Sequence, residues 1–244
     1  CFFERELQTS IAEKARYESI LRAALSKQAL LVYYQPIVNL ATGKVMGTEA
    51  LVRLEDPLTG ALIGPDNFIG IAEETGLIIA LGEQVLQQAI KATQAWREQF
   101  SKDLYVSVNF SNRQFQQTHI VDMISESLQQ AGLPPALLYV ELTESLLIQD
   151  NMHNQAVLRA LHKLGCKLVI DDFGTGYSAL SYLHQFPIDV LKIDRSFIAD
   201  CQLDETDQSL VKAILNMSLG LGVAVVAEGV ENPPQQTFLH HRGC

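Results

Sequence analysis

The residues of this 244-residue chain that could do chemistry are mostly acidic, and they recur in order at the ends of apolar runs. Glu49 lies in MGTEALVR (46–53), Asn109 near the end of LYVSVNF (104–110), and Glu141 in LLYVEL (137–142). Asp171 and Asp172 follow KLVI, Lys192 lies in DVLKID (189–194), and Glu228 closes VAVVAE (223–228). Five carboxylates converging on one cavity would repel each other unless positive charge neutralised them. Hard divalent cations with oxygen ligands meet that need. Carboxylate and amide oxygens without Cys or His suit Mg²⁺ or Mn²⁺ rather than zinc. Because Asp171 and Asp172 are adjacent, one could bridge two ions while the other binds only the second. Two ions ~3.5–4 Å apart suit in-line attack on phosphorus.

Each piece also has a plainer reading. A single acidic residue at a strand end is commonly a solvated turn or a helix cap. ELTES (141–145) could be a strand followed by a cap at Thr143 or Ser145, and DDFGTG (171–176) an ordinary turn. Gly174 and Gly176 alone are a weak phosphate-loop signal, and Lys192 could be a buried lysine paired to a carboxylate. Turn chemistry does not readily supply carboxylates or an amide at successive strand ends together with one lysine.

The elements that must position these groups alternate. Apolar, β-branched runs occupy 30–38, 46–53, 104–110, 137–142, 167–171, 189–194 and 223–228, and helical periodicities lie between them. Leu81, Val85, Leu86, Ala89, Ile90 and Trp96 recur at helical spacing, as do Val157, Leu158, Leu161 and Leu164. Gly132 and Gly165 sit where helices should stop. Near-continuous apolar strands alternating with helices imply a buried, mostly parallel sheet. The first two runs are joined by LATGK, too short for a helical crossover, and should pair as an antiparallel hairpin. The expected fold is α/β, resembling a (β/α)8 barrel with an antiparallel first strand. An open doubly wound sheet is the runner-up, without a glycine-rich fingerprint to support it. A helix over 4–28, with Leu7, Ile11, Ala15, Leu21 and Leu25 on its apolar side, precedes the barrel over 29–244. The sequence stops just after the helix that starts near Pro233, so the barrel's final strand is expected to be missing from it.

Composition narrows the class. The formal charge is −10, from 28 acidic and 18 basic residues. A nucleic-acid polymer would normally meet a basic patch, and none is evident. A small anion remains compatible if metal ions supply the positive charge. The four cysteines fit neither a zinc site nor a disulfide framework, so reduced thiols in the cytoplasm are the expectation. No apolar run approaches the ~18 residues of a membrane span. The six histidines show no metal-ligand spacing.

The motifs YQPI (34–37), EALVR (49–53), VNFS (108–111), ELTE (141–144), DDFGTG (171–176), LKID (191–194) and AEGVE (227–231) resemble the EAL domains. The resemblance runs from about residue 30 to the end. It implies a TIM-like barrel that hydrolyses cyclic di-GMP to linear pGpG with two Mg²⁺ or Mn²⁺ ions. Glu49, Asn109, Glu141 and Asp171 would hold the first ion, and Asp171, Asp172 and Glu228 the second. Lys192 would orient the attacking water or hydroxide. Gln35 and Arg53 would contact the dinucleotide, Arg53 through paired, charge-assisted bonds to phosphate. Asp194 and Asp189 would help hold the site or a guanine edge. Glu144 would anchor the loop bearing Gly174, Thr175 and Gly176, and Glu231 would support the site from behind its ligands. The family usually carries a further glutamine on a strand beyond Gly243 and Cys244. The opening CFFERELQ and its helix resemble a joint to an upstream GGDEF domain, which implies a larger signalling protein, cytoplasmic or held at the inner membrane by other segments; the family often dimerises, so the resemblance also implies a homodimer. A catalytically silent cyclic di-GMP receptor is the alternative, although such members typically lose some of these carboxylates. A glycoside hydrolase is a third reading, needing two carboxylates and neither Lys192 nor metal.

Overall fold

The structure, a computed structural model, describes residues 2–148, 152–175, 185–201 and 204–244, with the side chains of residues 2–10 and 148 left aside. Gly176 lies outside the described residues. A long helix, α1 (Phe2–Ser26), leads into the hairpin β1 (Leu31–Val38) and β2 (Val45–Glu55). The sheet continues through β4 (Tyr105–Asn109), β5 (Leu138–Thr143), β6 (Lys167–Phe173), β7 (Val190–Ile193) and β8 (Ala224–Ala227). A two-residue strand, β3 (Leu62–Ile63), pairs only with the end of β2. The strand order is β1-β2-β4-β5-β6-β7-β8. The first pair is antiparallel and the rest parallel, as the short connection LATGK requires. Among the described residues no ladder joins β8 to β1, so the sheet curls without closing. The seven expected strands are present within a few residues of their expected bounds. β3 is the addition, and two residues are too few to give a periodic signal.

Between the strands, helices cover the outer face. α2 (Ile69–Thr75) and α3 (Ile78–Gln99) follow β3, with Leu81, Val85, Leu86, Ala89 and Ile90 all buried against the sheet. α5 (Ile120–Ala131) ends at Gly132, which takes the left-handed conformation (φ 70°) that closes a helix without a Cβ penalty. Short helices α4 (Asn112–Phe115) and α6 (Glu144–Ile148) start directly beyond β4 and β5, and α7 (Met152–Leu164) leads into β6. After β7 come α8 (Arg195–Ala199) and α9 (Glu205–Leu221), and α10 (Pro233–His241) follows β8. No helix among the described residues is long and apolar enough to cross a membrane.

The apolar stripe expected along the first helix holds only in its second half. Ile20, Leu21 and Leu25 are buried, whereas Ile11 and Ala15 are exposed. Helical spacing alone cannot say how far along its length a helix stays in contact with a sheet. Where α1 does dock, polar groups complete the contact. Gln84 of α3 donates to the Leu25 carbonyl at 2.9 Å, satisfying an acceptor that a helix end leaves without an internal partner. Arg16 forms an ion pair with the nearly buried Asp56 just beyond β2.

The bottom of the curled sheet is plugged by aromatic rings. Tyr105 and Tyr139 stack with centroids 3.9 Å apart on its concave face. Gly47 lies in register with Tyr105, and a Cβ there would meet the Tyr105 ring at 2.5 Å. Glycine is therefore required at position 47 for close packing. Gly47→Ala should destabilise the fold by about 1–3 kcal/mol, the usual cost of overpacking. Urea unfolding that gave an unchanged midpoint would show that the plug yields freely.

Candidate active site

Register decides which side chains meet. Paired residues of neighbouring strands share a face, and alternate residues along a strand return to it. Glu49 pairs with Ser107, Asn109 with Glu141, and Glu141 with Val169. Asp171 lies two residues beyond Val169, and Lys192 two beyond Val190, the partner of Val169. Lys192 pairs with Val226, two residues before Glu228. Glu49, Asn109, Glu141, Asp171, Lys192 and Glu228 thus rise on one concave face, toward the C-terminal ends of the parallel strands, where barrels of this kind gather functional groups.

Asp172 should face away, because neighbours in a strand alternate. Two features bring it to the same mouth. The β6–β7 register shifts between Ile170 and Phe173, and Asp172 takes a left-handed backbone conformation (φ 52°). Aspartate is one of the few residues with a side chain that visit this region readily. Beyond it, the Thr175 N–H (3.3 Å) and hydroxyl (2.9 Å) both donate to the Asp172 carbonyl, closing the turn. Gly174 sits at φ 100° with the Phe197 ring 3.0 Å from where a Cβ would lie. This is the structural work of the loop motif.

At the centre stands the Lys192 ammonium. It lies 3.1 Å from Glu49, 3.0 Å from Glu141, 3.0 Å from Asp171 and 2.7 Å from Glu228. Burial alone would lower its pKa, but Glu141, Asp171, Glu49 and Glu228 together raise it. Lys192 is therefore a fixed cation and hydrogen-bond donor, not a base. Burial pushes Glu141 up to about 8 against the pull of Lys192, with Glu49 and Asp171 adding to the rise. Asp172 and Glu228 are also raised, chiefly by burial.

Five carboxylates around one ammonium leave four formal negative charges, which two divalent cations would neutralise. The donor atoms fit that number. Oxygens of Glu49, Glu141 and Asp171 lie within 4.8 Å of one another, and so do oxygens of Asp171, Asp172 and Glu228. Asp171 belongs to both groups. The Asn109 amide nitrogen donates to Glu49 at 2.8 Å, so the amide lies against the first group. The same amide turned over would present its oxygen.

The remaining expected residues fall in different places. Gln35 pairs in register with Glu49 and shares its face. Arg53 lies four residues beyond Glu49 on that face, its guanidinium donating to the Val52 carbonyl at 2.8 Å. Asp194 caps α8 beyond Lys192, accepting from the Ser196 N–H at 2.9 Å and from its hydroxyl. Burial would raise Asp194, but those bonds outweigh it and hold the carboxyl below its ordinary value. Glu144 is buried at the first position of α6. Glu231 has an exposed side chain, and its backbone N–H donates to Gln235 at 2.7 Å. Asp189 is a correction. It precedes β7 at the foot of the sheet, where it accepts from Lys167 at 2.7 Å and from the Leu168 N–H at 2.9 Å. A residue three positions before Lys192 on the strand cannot reach the mouth. Sequence reasoning missed Ser107, a buried hydroxyl that donates to Glu141. Its alternation with Asn109 in VSVN was the available signal.

The family model for the EAL domain matches residues 18–244, and the chain belongs to that family. It is 40% identical over its full length to the bifunctional diguanylate cyclase/cyclic di-GMP phosphodiesterase MucR of Pseudomonas aeruginosa, covering 36% of that protein. It is 38% identical to the cyclic di-GMP phosphodiesterase PdeR of Escherichia coli, again covering 36% of it. A solved structure described as PaMucR phosphodiesterase in complex with c-di-GMP superimposes with a TM-score of 0.88 at 40% identity, covering 93% of this chain and 92% of that one. The chain spans about a third of the length of the curated relatives it matches.

The raised Glu141 has a consequence for the metal-free protein. Its carboxyl holds a proton up to about pH 8 when folded, against an ordinary value of 4.5. Between those values the native state binds a proton that the unfolded chain has released, so stability falls as pH rises. Thermal melting without metal should show this fall from pH 5 to 8. Glu141→Gln should flatten it, and Mn²⁺ at pH 8 should raise the wild-type midpoint. A wild-type profile with no slope would refute the assignment.

Proposed function

We propose that this chain is a metal-dependent phosphodiesterase that opens cyclic di-GMP to linear pGpG. The observation that carries the reading is the pair of acidic groups sharing Asp171, with Lys192 between them. The named relatives and the c-di-GMP complex support the substrate. Glu49, Asn109, Glu141 and Asp171 would hold one Mg²⁺ or Mn²⁺, and Asp171, Asp172 and Glu228 a second. Such ions supply Lewis-acid stabilisation of charge on the phosphoryl and on the attacking and leaving oxygens.

The chain's own residues do the rest. Forming pGpG consumes one water, whose oxygen bonds to phosphorus as the bond from phosphorus to the 3′ oxygen breaks. The products are a 5′ phosphate and a 3′ hydroxyl, so the proton lost by water is balanced by the one gained at the 3′ oxygen. Lys192, held protonated, donates a hydrogen bond to the entering oxygen and orients it. Ser107 fixes the Glu141 carboxylate, and the Asp172 turn holds its carboxylate beside that of Asp171. Arg53 binds a substrate phosphate and Gln35 contacts the dinucleotide from the neighbouring strand. Asp194 acts indirectly, by starting α8 at the rim. We extend the proposal to a domain of a longer signalling protein, joined through α1 to an upstream GGDEF-type domain and working as a homodimer.

Purified protein given cyclic di-GMP with Mg²⁺ or Mn²⁺ should yield pGpG. EDTA should stop turnover, and added metal should restore it. Glu49→Ala should lower kcat by about a hundredfold or more, since it removes a ligand rather than a ligand's support. Absence of pGpG from metal-loaded protein, or turnover that survives chelation, would defeat the reading.

A further inference from the structure

We propose that Gly229 and Gln235 are positioning residues for the second metal half-site: they key the loop that Glu228 opens onto α8, and so fix that carboxylate beside Asp171 and Asp172. The inference rests on the two-ion phosphodiesterase reading and deepens it. Glu49, Asn109, Glu141 and Asp171 all lie within strands, where ladder bonds set their height. Glu228 lies one residue past the end of β8, so the loop it opens must set its position. Its backbone N–H donates to the Ile193 carbonyl at 3.0 Å, one residue beyond Lys192. From there the loop meets α8, which starts two residues after Ile193.

Two contacts hold the loop. Gly229 has φ 66°, and a Cβ there would lie 2.7 Å from the Arg195 Cβ and 3.3 Å from its Cα. A side chain at 229 would push the loop off the first turn of α8, and the left-handed backbone itself disfavours one. At the other end of the loop stands Gln235, in the first turn of α10 yet only 3% exposed. An amide is costly to bury unless its donors and acceptor are met. Its oxygen accepts from the Glu231 N–H at 2.7 Å and the Asn232 N–H at 3.1 Å. Its nitrogen donates to the carbonyls of Ile198 at 3.2 Å and Ala199 at 3.0 Å. Capping α10 needs only the first pair of bonds. The second pair reaches across to the last residues of α8, so one amide ties loop and helix together. Gly229 sets the loop against the start of α8, and Gln235 sets it against the end. Glu228 is thereby held with its carboxylate 2.7 Å from Lys192 and within reach of Asp171 and Asp172.

Titrating the metal-free full chain with Mn²⁺ tests this, with bound ions counted by electron paramagnetic resonance. Gly229→Ala restores the missing Cβ against Arg195. Gln235→Glu keeps an acceptor for the Glu231 and Asn232 N–H groups, as glutamate does in a capping box, and loses the bonds to α8. Both variants should hold the first ion as wild type does and the second about tenfold more weakly, the usual scale of loss when a ligand's support is removed. In turnover, the Mn²⁺ needed for half-maximal rate should rise by the same factor. Excess Mn²⁺ should restore kcat, with the KM for cyclic di-GMP unchanged. Wild-type affinity for both ions in the folded variants overturns the proposal, and so does an equal weakening of both ions, which marks a general loosening. Gly229→Ala decides alone if Gln235→Glu does not fold. Gly229 is exposed, so the loop can yield there; failure of Gly229→Ala to fold also overturns the proposal, since the contact would then serve the core. Wild-type protein that binds fewer than two ions would instead sink the two-ion reading, a failure distinct from two wild-type sites indifferent to both substitutions.

Discussion

Everything at the mouth of this sheet depends on one buried ammonium and the carboxylates crowded around it. Four acidic side chains lie within 3.1 Å of Lys192 Nζ, and a fifth, Asp172, stands beside Asp171. Removing such charges from water is costly unless opposite charges meet at close range. One lysine cannot balance five carboxylates, and burial together with the neighbouring carboxylates raises the proton affinities of three of them. Glu141 is driven up to about 8 by burial, and Asp172 and Glu228 are raised as well. A cluster so short of positive charge is built for cations, and it leaves Lys192 permanently charged as a donor.

The scaffold meets the demand by separating tasks along each strand. Lower on the concave face, Tyr105 and Tyr139 stack over the space left by Gly47 and give the carboxylates a rigid floor. Above them the same strands deliver Ser107, Asn109 and Glu141. The outward face of each strand is apolar and packed under helices, as with Val106, Val108 and Val140, all buried. The polar groups are therefore held in place by apolar packing on the opposite face of the same strands. The preorganised geometry keeps like charges together that would move apart in a looser fold.

The N-terminal helix shows the limit of pattern reading. Its second half docks through Ile20, Leu21 and Leu25, its end is received by Gln84, and Arg16 reaches Asp56 at the far end of the strand that carries Glu49 and Arg53. Ile11 and Ala15 continue the periodicity but stand exposed. Likewise Asp189 has the right type and lies near Lys192 in sequence, yet it faces Lys167 at the foot of the sheet. An acidic residue in a motif can serve the beginning of a strand or its end, and those lie at opposite ends of the barrel.

The sequence by itself determined the alternation of strands and helices, the antiparallel first hairpin and the identity of the acidic set. These follow from local chemistry: apolar β-branched runs, glycines at helix ends, a connection too short to cross over, and carboxylates at strand ends. The motifs also carried the family resemblance, since residue types at fixed spacing are visible without coordinates. Tertiary structure alone decided that Asp172 joins Asp171, because a register shift and a left-handed residue override simple alternation. It alone gave Ser107 its partner. Each of those outcomes depends on which strand lies beside which and in what register, a relation between distant segments that periodicity within one segment cannot encode.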